Sequence, residues 1–255
     1  MEGLVLLESS YWYPLSYLGV THTFFRIDAH TVTMTWLLLL FIALLIIAVR
    51  MIMRHETSLM CVLVIQITRI FMDFVTQTLK VFSFNHFSFA CTLFTFIFLS
   101  SLLSLIPFLE EPTQNINTAF ALGLSAFLYV QYYHIHAHGL KTYIKGFLSP
   151  FFIMLPLNVL STCSTALSLS FRLFGNIFGG AIINGVIFGA LGSLHRLFIG
   201  SFIMKLLASV LSLFGLGACV VAGMFFGLFE GMLQGFVFFM LTLTYLSLAL
   251  EGVGH

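Results

Sequence analysis

The stretch SLSFRLFGNIFGGAIINGVIFGALG, residues 168–192, holds a single charged side chain, Arg172. It closes an apolar tract of 46 residues from Phe147 to Gly192, broken by Pro150, Pro156, a few hydroxyls and amides, and that arginine. A straight helix of this length reaches about 69 Å, more than twice the hydrocarbon core of a bilayer. After SLHR comes a second tract, Leu197 to Leu250, containing Lys205 and Glu230. Neither tract has the polar loop at its middle that two ordinary spans would need. A hairpin of two long, strongly tilted helices fits both.

Composition agrees with a membrane setting. The chain has 255 residues, 60% hydrophobic and only 7% charged, where soluble domains carry roughly 25% charged residues. A formal net charge of +1 provides no footprint for nucleic acid. Cys61, Cys91, Cys163 and Cys219 are scattered in apolar sequence and read as small buried hydrophobes, not as disulfides or metal ligands. The first 31 residues carry Glu2 and Glu8, no Lys or Arg before Arg26, and the aromatics Tyr11, Trp12, Tyr13 and Tyr17. They fit neither a signal peptide nor a transit peptide, and read as an interfacial segment.

Three further segments precede the long tracts. Residues 32–49, VTMTWLLLLFIALLIIAV, are a span ended by Arg50 and Arg54. In residues 58–83, Arg69, Asp73, Thr76 and Lys80 recur at spacings of three and four. They define a polar face, so an amphipathic helix at the interface is favoured over a span. Spans follow over 86–109 and 118–137, separated by the polar loop EEPTQN. The expectation is an all-α integral membrane protein, one polytopic domain over residues 1–255. The basic residues lie after the first and third spans, Lys141 and Lys145 among them, while the loop after the second holds Glu110 and Glu111. The positive-inside rule then puts the N-terminus outside.

An arginine inside a membrane tract cannot shed its charge, so something must meet it. Snorkelling is disfavoured by at least twenty residues without Asp, Glu, Lys or Arg on either side. Gly175 and Gly179 form one GxxxG and Gly185 and Gly189 another, with Asn176 and Asn184 nearby, a face shaped for close approach of a partner helix. The second tract has Gly223, Gly227, Gly231 and Gly235 at intervals of four, which suits either internal packing or a sliding surface, and beside them Glu230 and Gln234. His134, His136 and His138 spread around a helix and have no acid or cysteine near in sequence, so interfacial polar residues are preferred to a metal site. No nucleophile–base pair, phosphate loop or HExxH occurs, and the chain does not read as an enzyme. No internal repeat is visible, which counts against an inverted-repeat transporter.

SLSFRLFGNIFGG closely resembles the signature of subunit a of F-type ATP synthases, and LQGFVFFMLTLTYLSLAL resembles the last block of that family. PTQNINTAFALGLSAFL and HAHGLKTYIKGF match in order and spacing. The resemblance covers about residues 86–250 and implies a few spans followed by a long tilted hairpin against a rotating c-ring. It implies a non-catalytic, cofactor-free stator subunit that provides two half-channels for protons (or sodium ions). Its partners would be the c-ring, the peripheral stalk subunit b and membrane lipids, in a bacterial inner membrane or, alternatively, a mitochondrial one. Arg172 matches the essential arginine, Gln234 the glutamine of the second arm, and Asn176 the signature asparagine. The family's usual second polar pair falls on Ala181 and Gly227, and its acid ahead of the arginine helix falls on Asn158. Glu230 and Asn184 are the expected substitutes, with His195, Glu110 and Glu111 as candidates at the outer mouth. A stand-alone ion channel or secondary transporter with an intramembrane arginine is the alternative reading.

Overall fold

The computed structural model describes residues 11–12, 27–54, 58–103, 109, 111–148, 151–197, 224–251 and six separate positions between 210 and 221; it does not describe the side chains at 11, 12, 27, 176, 177, 181, 184, 187, 188, 191, 192, 194–197, 226 and 227. Among the described residues the regular structure is helical apart from one short bridge, and the chain is an all-α membrane protein. The bridge pairs β1 (Tyr11–Trp12) antiparallel with β2 (Ile27–Asp28), Tyr11 opposite Asp28. Among the described residues, five segments are long and apolar enough to cross a membrane: α1 (Ala29–Ile52), α2 (Leu59–Leu79), α3 (Phe84–Leu103), Phe152–Gly180 and Leu228–Glu251.

α1 begins where Asp28 can cap it. The Asp28 carboxylate accepts from the His30 amide at 3.1 Å and from Thr31 Oγ1 at 3.3 Å, meeting donors that the first helical turn leaves open. α2 turns its polar face outward: Arg69, Asp73, Thr76 and Lys80 are all exposed. Its other face packs inward, Phe71 against Phe94 and Phe239, Phe74 against Phe236.

A short 3-10 turn, Pro112–Gln114, leads into α4 (Ile116–His138). α4 ends at Gly139, whose φ of +79° lies in the region that glycine adopts without strain. The chain then forms α5 (Leu140–Leu148), a nine-residue helix absent from the sequence expectation. Its Lys141 and Lys145 are exposed, while Tyr143 and Phe147 turn inward.

The first long tract is not one helix from Phe147. Its opening residues end α5 and form a 3-10 turn, Phe152–Met154, and α6 runs over Leu155–Leu197. Pro156 explains the start, since proline fits the first turn of a helix, where no amide partner is lost, and not its interior. The 43 residues of α6 give about 64 Å of helix, so it can lie within a bilayer only if steeply inclined. The turn of the hairpin lies outside the described residues. The second arm is described continuously from Met224: a π-turn, Phe225–Glu230, then α7 (Gly231–Glu251).

α7, like α3, is an interior helix. Gln234, Phe238, Phe239, Thr242, Leu243, Leu246 and Ala249 are buried along it, and it packs on α2, α3 and α4. Leu93, Ile97, Ala126, Leu169, Leu173 and Phe238 form one core cluster joining α3, α4, α6 and α7. The cysteine expectation holds only in part: Cys61 is buried and Cys91 half-buried, but Cys163 is exposed on α6; Cys219 lies outside the described residues.

Candidate functional site

Arg172 sits on the outward side of α6. Leu169, Ser170 and Leu173 beside it are buried, whereas Phe171, Arg172 and Gly175 are exposed. Helical spacing puts Arg172, Gly175, Gly179 and Ile183 along one stripe. Among the described residues, a Cβ placed on Gly175, Gly179, Gly185 or Gly189 would meet nothing within 4 Å. Among the described residues no acid forms an ion pair with Arg172. The guanidinium and its glycine stripe therefore face out of the chain.

Gln234 is buried on α7, 3% exposed. Phe238, one turn further on, shares the core cluster with Leu169 and Leu173. This brings the segment bearing Gln234 beside the segment bearing Arg172. The two glycine strips differ in use. Gly231 and Gly235 pack inside the chain: a Cβ on Gly231 would strike the Ser101 side chain, and one on Gly235 would lie 3.3 Å from Phe94. The π-turn also interrupts the strip, because its wider i→i+5 turn shifts the register of every residue before Glu230 relative to those after it.

Polar groups gather at the two ends of the bundle. At one end, Glu111 is buried; its Oε1 accepts from Ser101 Oγ at 2.9 Å and from Thr113 Oγ1 at 2.6 Å. Ser100 Oγ lies 3.0 Å from Thr113 Oγ1. Burial holds the Glu111 carboxyl above the usual carboxylate range; the two hydroxyl donors pull it back down, and the charge of Glu230 pushes it up further. Asn115 caps α4 by accepting from the Asn117 amide at 3.0 Å, and its Nδ2 donates to Thr31 Oγ1 at 3.1 Å. A cavity of about 230 Å³ lies here, lined by Asp28, His30, Thr31, Glu111, Gln114 and Asn115.

At the other end Lys80 Nζ meets Glu251 Oε1 at 2.6 Å, an exposed pair whose hydrogen bond and charge hold the lysine above its ordinary range. Ser247 Oγ donates to the Thr78 carbonyl at 2.9 Å. Two cavities of about 230 and 260 Å³ adjoin here and share Gln131, His134, Ser161 and Thr162. The first reaches inward to Thr242 and Tyr245, the second outward to His138 and Thr142. Tyr143 donates to Gln131 Oε1 at 2.9 Å. His134 and His138 meet ring to ring, their centroids 5.5 Å apart, and no group of three His, Cys, Asp or Glu able to hold a metal occurs among the described residues.

Of the residues singled out from sequence, Glu230 and Glu111 are brought near one another, and Gln234 is brought beside the Arg172 segment. Asn158 is used locally, donating to the Phe147 carbonyl at 3.0 Å. The side chains of Asn176, Asn184, His195 and Ala181, and all of Glu110, lie outside what is described, as does the Gly227 position beyond its backbone. Sequence reading missed Asp28, Ser101, Thr113 and Asn115. Asp28 and Asn115 each stand just ahead of an apolar run, the usual signal of a helix cap; Ser101 and Thr113 carry no such signal.

The profile of a known family, described as ATP synthase A chain, matches residues 32–247. The chain is 35% identical over 165 residues to ATP synthase subunit a 1 of Prosthecochloris aestuarii, covering 65% of this chain and 63% of that protein. It is 37% identical over 169 residues to ATP synthase subunit a of Solidesulfovibrio magneticus, covering 65% and 60%. With ATP synthase subunit a of Albidiferax ferrireducens it shares 33% over 168 residues, covering 66% and 62%. The matched stretch thus spans less than two thirds of these relatives' length.

Proposed function

Because this chain belongs to the ATP synthase A chain family, we propose that it is the ion-translocating stator subunit of a rotary ATP synthase, with Arg172 facing the carboxyls of a c-ring. The observation that carries this is the exposed Arg172 on a helix face whose glycines are open to a partner. A ring carboxyl crosses hydrocarbon when protonated and neutral. Beside the guanidinium its charged form is favoured, so it releases its proton there. The fixed charge also opposes direct passage of a proton from one side to the other, so each ion must ride the ring. The membrane potential supplies about 2.3 kcal/mol per charge per 100 mV.

In this reading the polar cavity at Asp28 and Glu111 is the outer half-channel, and the paired cavities at His134 are the inner one. Gln234 adds polarity near Arg172 without charge, and Glu230, Asn176 and Asn184 line the approach. His195 and Glu110 stay candidates for the outer mouth, and subunit b is the expected stalk partner. The membrane is a bacterial inner membrane. The protein does no chemistry on nucleotides itself.

Arg172→Ala in the complete complex tests this. Proton-driven ATP synthesis should vanish while the complex still assembles. Membranes that keep coupled synthesis with alanine there would remove the central role, and purification as a lone oligomer without a ring would favour a stand-alone channel.

A further inference from the structure

α5 divides into three sides around its axis. At 3.6 residues per turn, Thr142, Tyr143, Gly146 and Phe147 share one side, and all four line the second of the two cavities at His134. Leu140, Ile144 and Leu148 share the next, with Leu140 57% and Ile144 51% exposed. Lys141 and Lys145 stand four residues apart on the third, which adjoins the apolar side, and both are exposed. The cavity side is fastened to its neighbours: Tyr143 donates to Gln131 of α4, and the Phe147 carbonyl accepts from Asn158 of α6. Among the described residues neither lysine has an acid partner.

The position of α5 along the bundle selects what covers the other two sides. α4 has 23 residues, about 34 Å of helix, so it crosses the hydrocarbon core and leaves α5 at a membrane surface. His138 at the end of α4 meets the Ala249 carbonyl at 3.1 Å, and Glu251, two residues later, pairs with Lys80. Among the described residues this end of the bundle therefore carries Lys80, Lys141 and Lys145 against a carboxylate that is already paired, whereas the far end carries Asp28 and Glu111. Basic residues gather on the inner side of a membrane, where anionic headgroups give the leaflet a negative surface potential. A helix with an apolar side next to a lysine side is the form that lies in such a surface, and a helix as short as α5 is marginal in water without support of this kind.

We propose that α5 is a lipid anchor: Leu140, Ile144 and Leu148 enter the acyl boundary, Lys141 and Lys145 bind anionic headgroups of the inner leaflet, and the contact holds the cavity wall on the opposite side of the helix. The inference goes beyond the stator reading, since the lipid contact stands whichever ion the chain moves; only the pumping measurement below depends on that reading. Burial of Leu140 and Ile144 among acyl chains removes apolar surface from water. An ammonium on a four-carbon stem reaches the headgroups from a helix lying just beneath them. Tyr143 and Phe147 tie α5 to α4 and α6 by one hydrogen bond each, so lipid on the far side sets how firmly this wall is kept.

The test starts from the unaltered complex in nanodiscs of phosphatidylcholine, with and without phosphatidylglycerol. Reductive methylation of the lysines is followed residue by residue by peptide mass spectrometry. Phosphatidylglycerol should slow Lys141 and Lys145 about fivefold each, and high salt should restore the rate. Ile144→Glu, which charges the apolar side and keeps both lysines, should abolish the protection; protection that persists in it overturns the anchor. Equal, fast rates in the two lipids overturn it as well. So does protection as strong in phosphatidylcholine alone, because a protein neighbour then covers the lysines. For the cavity wall, ATP-driven pumping in proteoliposomes should rise severalfold with phosphatidylglycerol in the parent and in Lys141→Arg/Lys145→Arg, and not in Lys141→Gln/Lys145→Gln. A glutamine variant that responds like the parent overturns the hold on the cavity. Arg172→Ala, if silent in pumping, removes the stator reading and leaves the methylation result untouched.

Discussion

Ser101 and Glu111 lie ten residues apart on either side of the turn between α3 and α4, and their side chains meet at 2.9 Å. The bond fastens the end of α3 to a carboxyl that burial holds above its ordinary range. A group whose folded pKa is raised contributes its full stability below the unfolded value, and that contribution is lost as pH rises through the folded one. Glutamine keeps an oxygen for Ser101 and Thr113 but never ionises. Glu111→Gln should therefore melt with the parent in acid, below the ordinary carboxylate range, and above it at alkaline pH. Melting of the detergent-solubilised chain across that pH range is the measurement; a constant offset at all pH values would show that ionisation of Glu111 is not involved.

At Gly123, α4 comes close against Ser170 of α6. A Cβ there would collide with Ser170, whose own hydroxyl is spent on the Ala166 carbonyl at 2.9 Å. Gly123→Ala should destabilise the chain by about 1–3 kcal/mol through overpacking. Adding Ser170→Ala removes the nearest atom and should recover part of the loss, since the two positions share one contact. Equal melting of the single and double variants would mean that the helices separate rather than that the serine is displaced.

Gly175 makes the opposite case. Among the described residues nothing lies within 4 Å of a Cβ there, so Gly175→Ala should leave the isolated chain as stable or raise it by up to about 1 kcal/mol, the helix gain of alanine over glycine. Gly175→Phe should also leave its melting unchanged, yet reduce ring-dependent proton pumping in the complete complex. Pumping at the parental rate with phenylalanine at 175 would show that this stripe faces lipid and not the ring.

The long helix was legible as far as Gly192 because no polar loop interrupts it and Pro156 marks its beginning; the SLHR step at 193–196, read as the break between the two tracts, instead continues the helix to Leu197. α5 was not legible because nine residues hold too little periodicity, and its separation from α4 rests on a backbone angle at Gly139. Arg172 announced itself by its rarity. The Glu111 surroundings did not, since Ser101 and Thr113 are ordinary residues until the α3–α4 turn folds them onto one oxygen. The tie of Lys80 to Glu251 spans 171 residues and depends on the second arm returning beside α2. The π-turn has no sequence signature, so the glycine strip looked continuous where the backbone breaks it.

The outward position of Arg172 bears on how such a complex is put together. A newly inserted chain would show this guanidinium to lipid, at a cost of about 2.5–3.5 kcal/mol by insertion scales. That cost disappears once a carboxylate from another subunit comes to face it. The same side chain that would meter ions in the finished machine would then make the orphaned subunit the less stable species, and so favour its capture by a completed ring over its persistence alone.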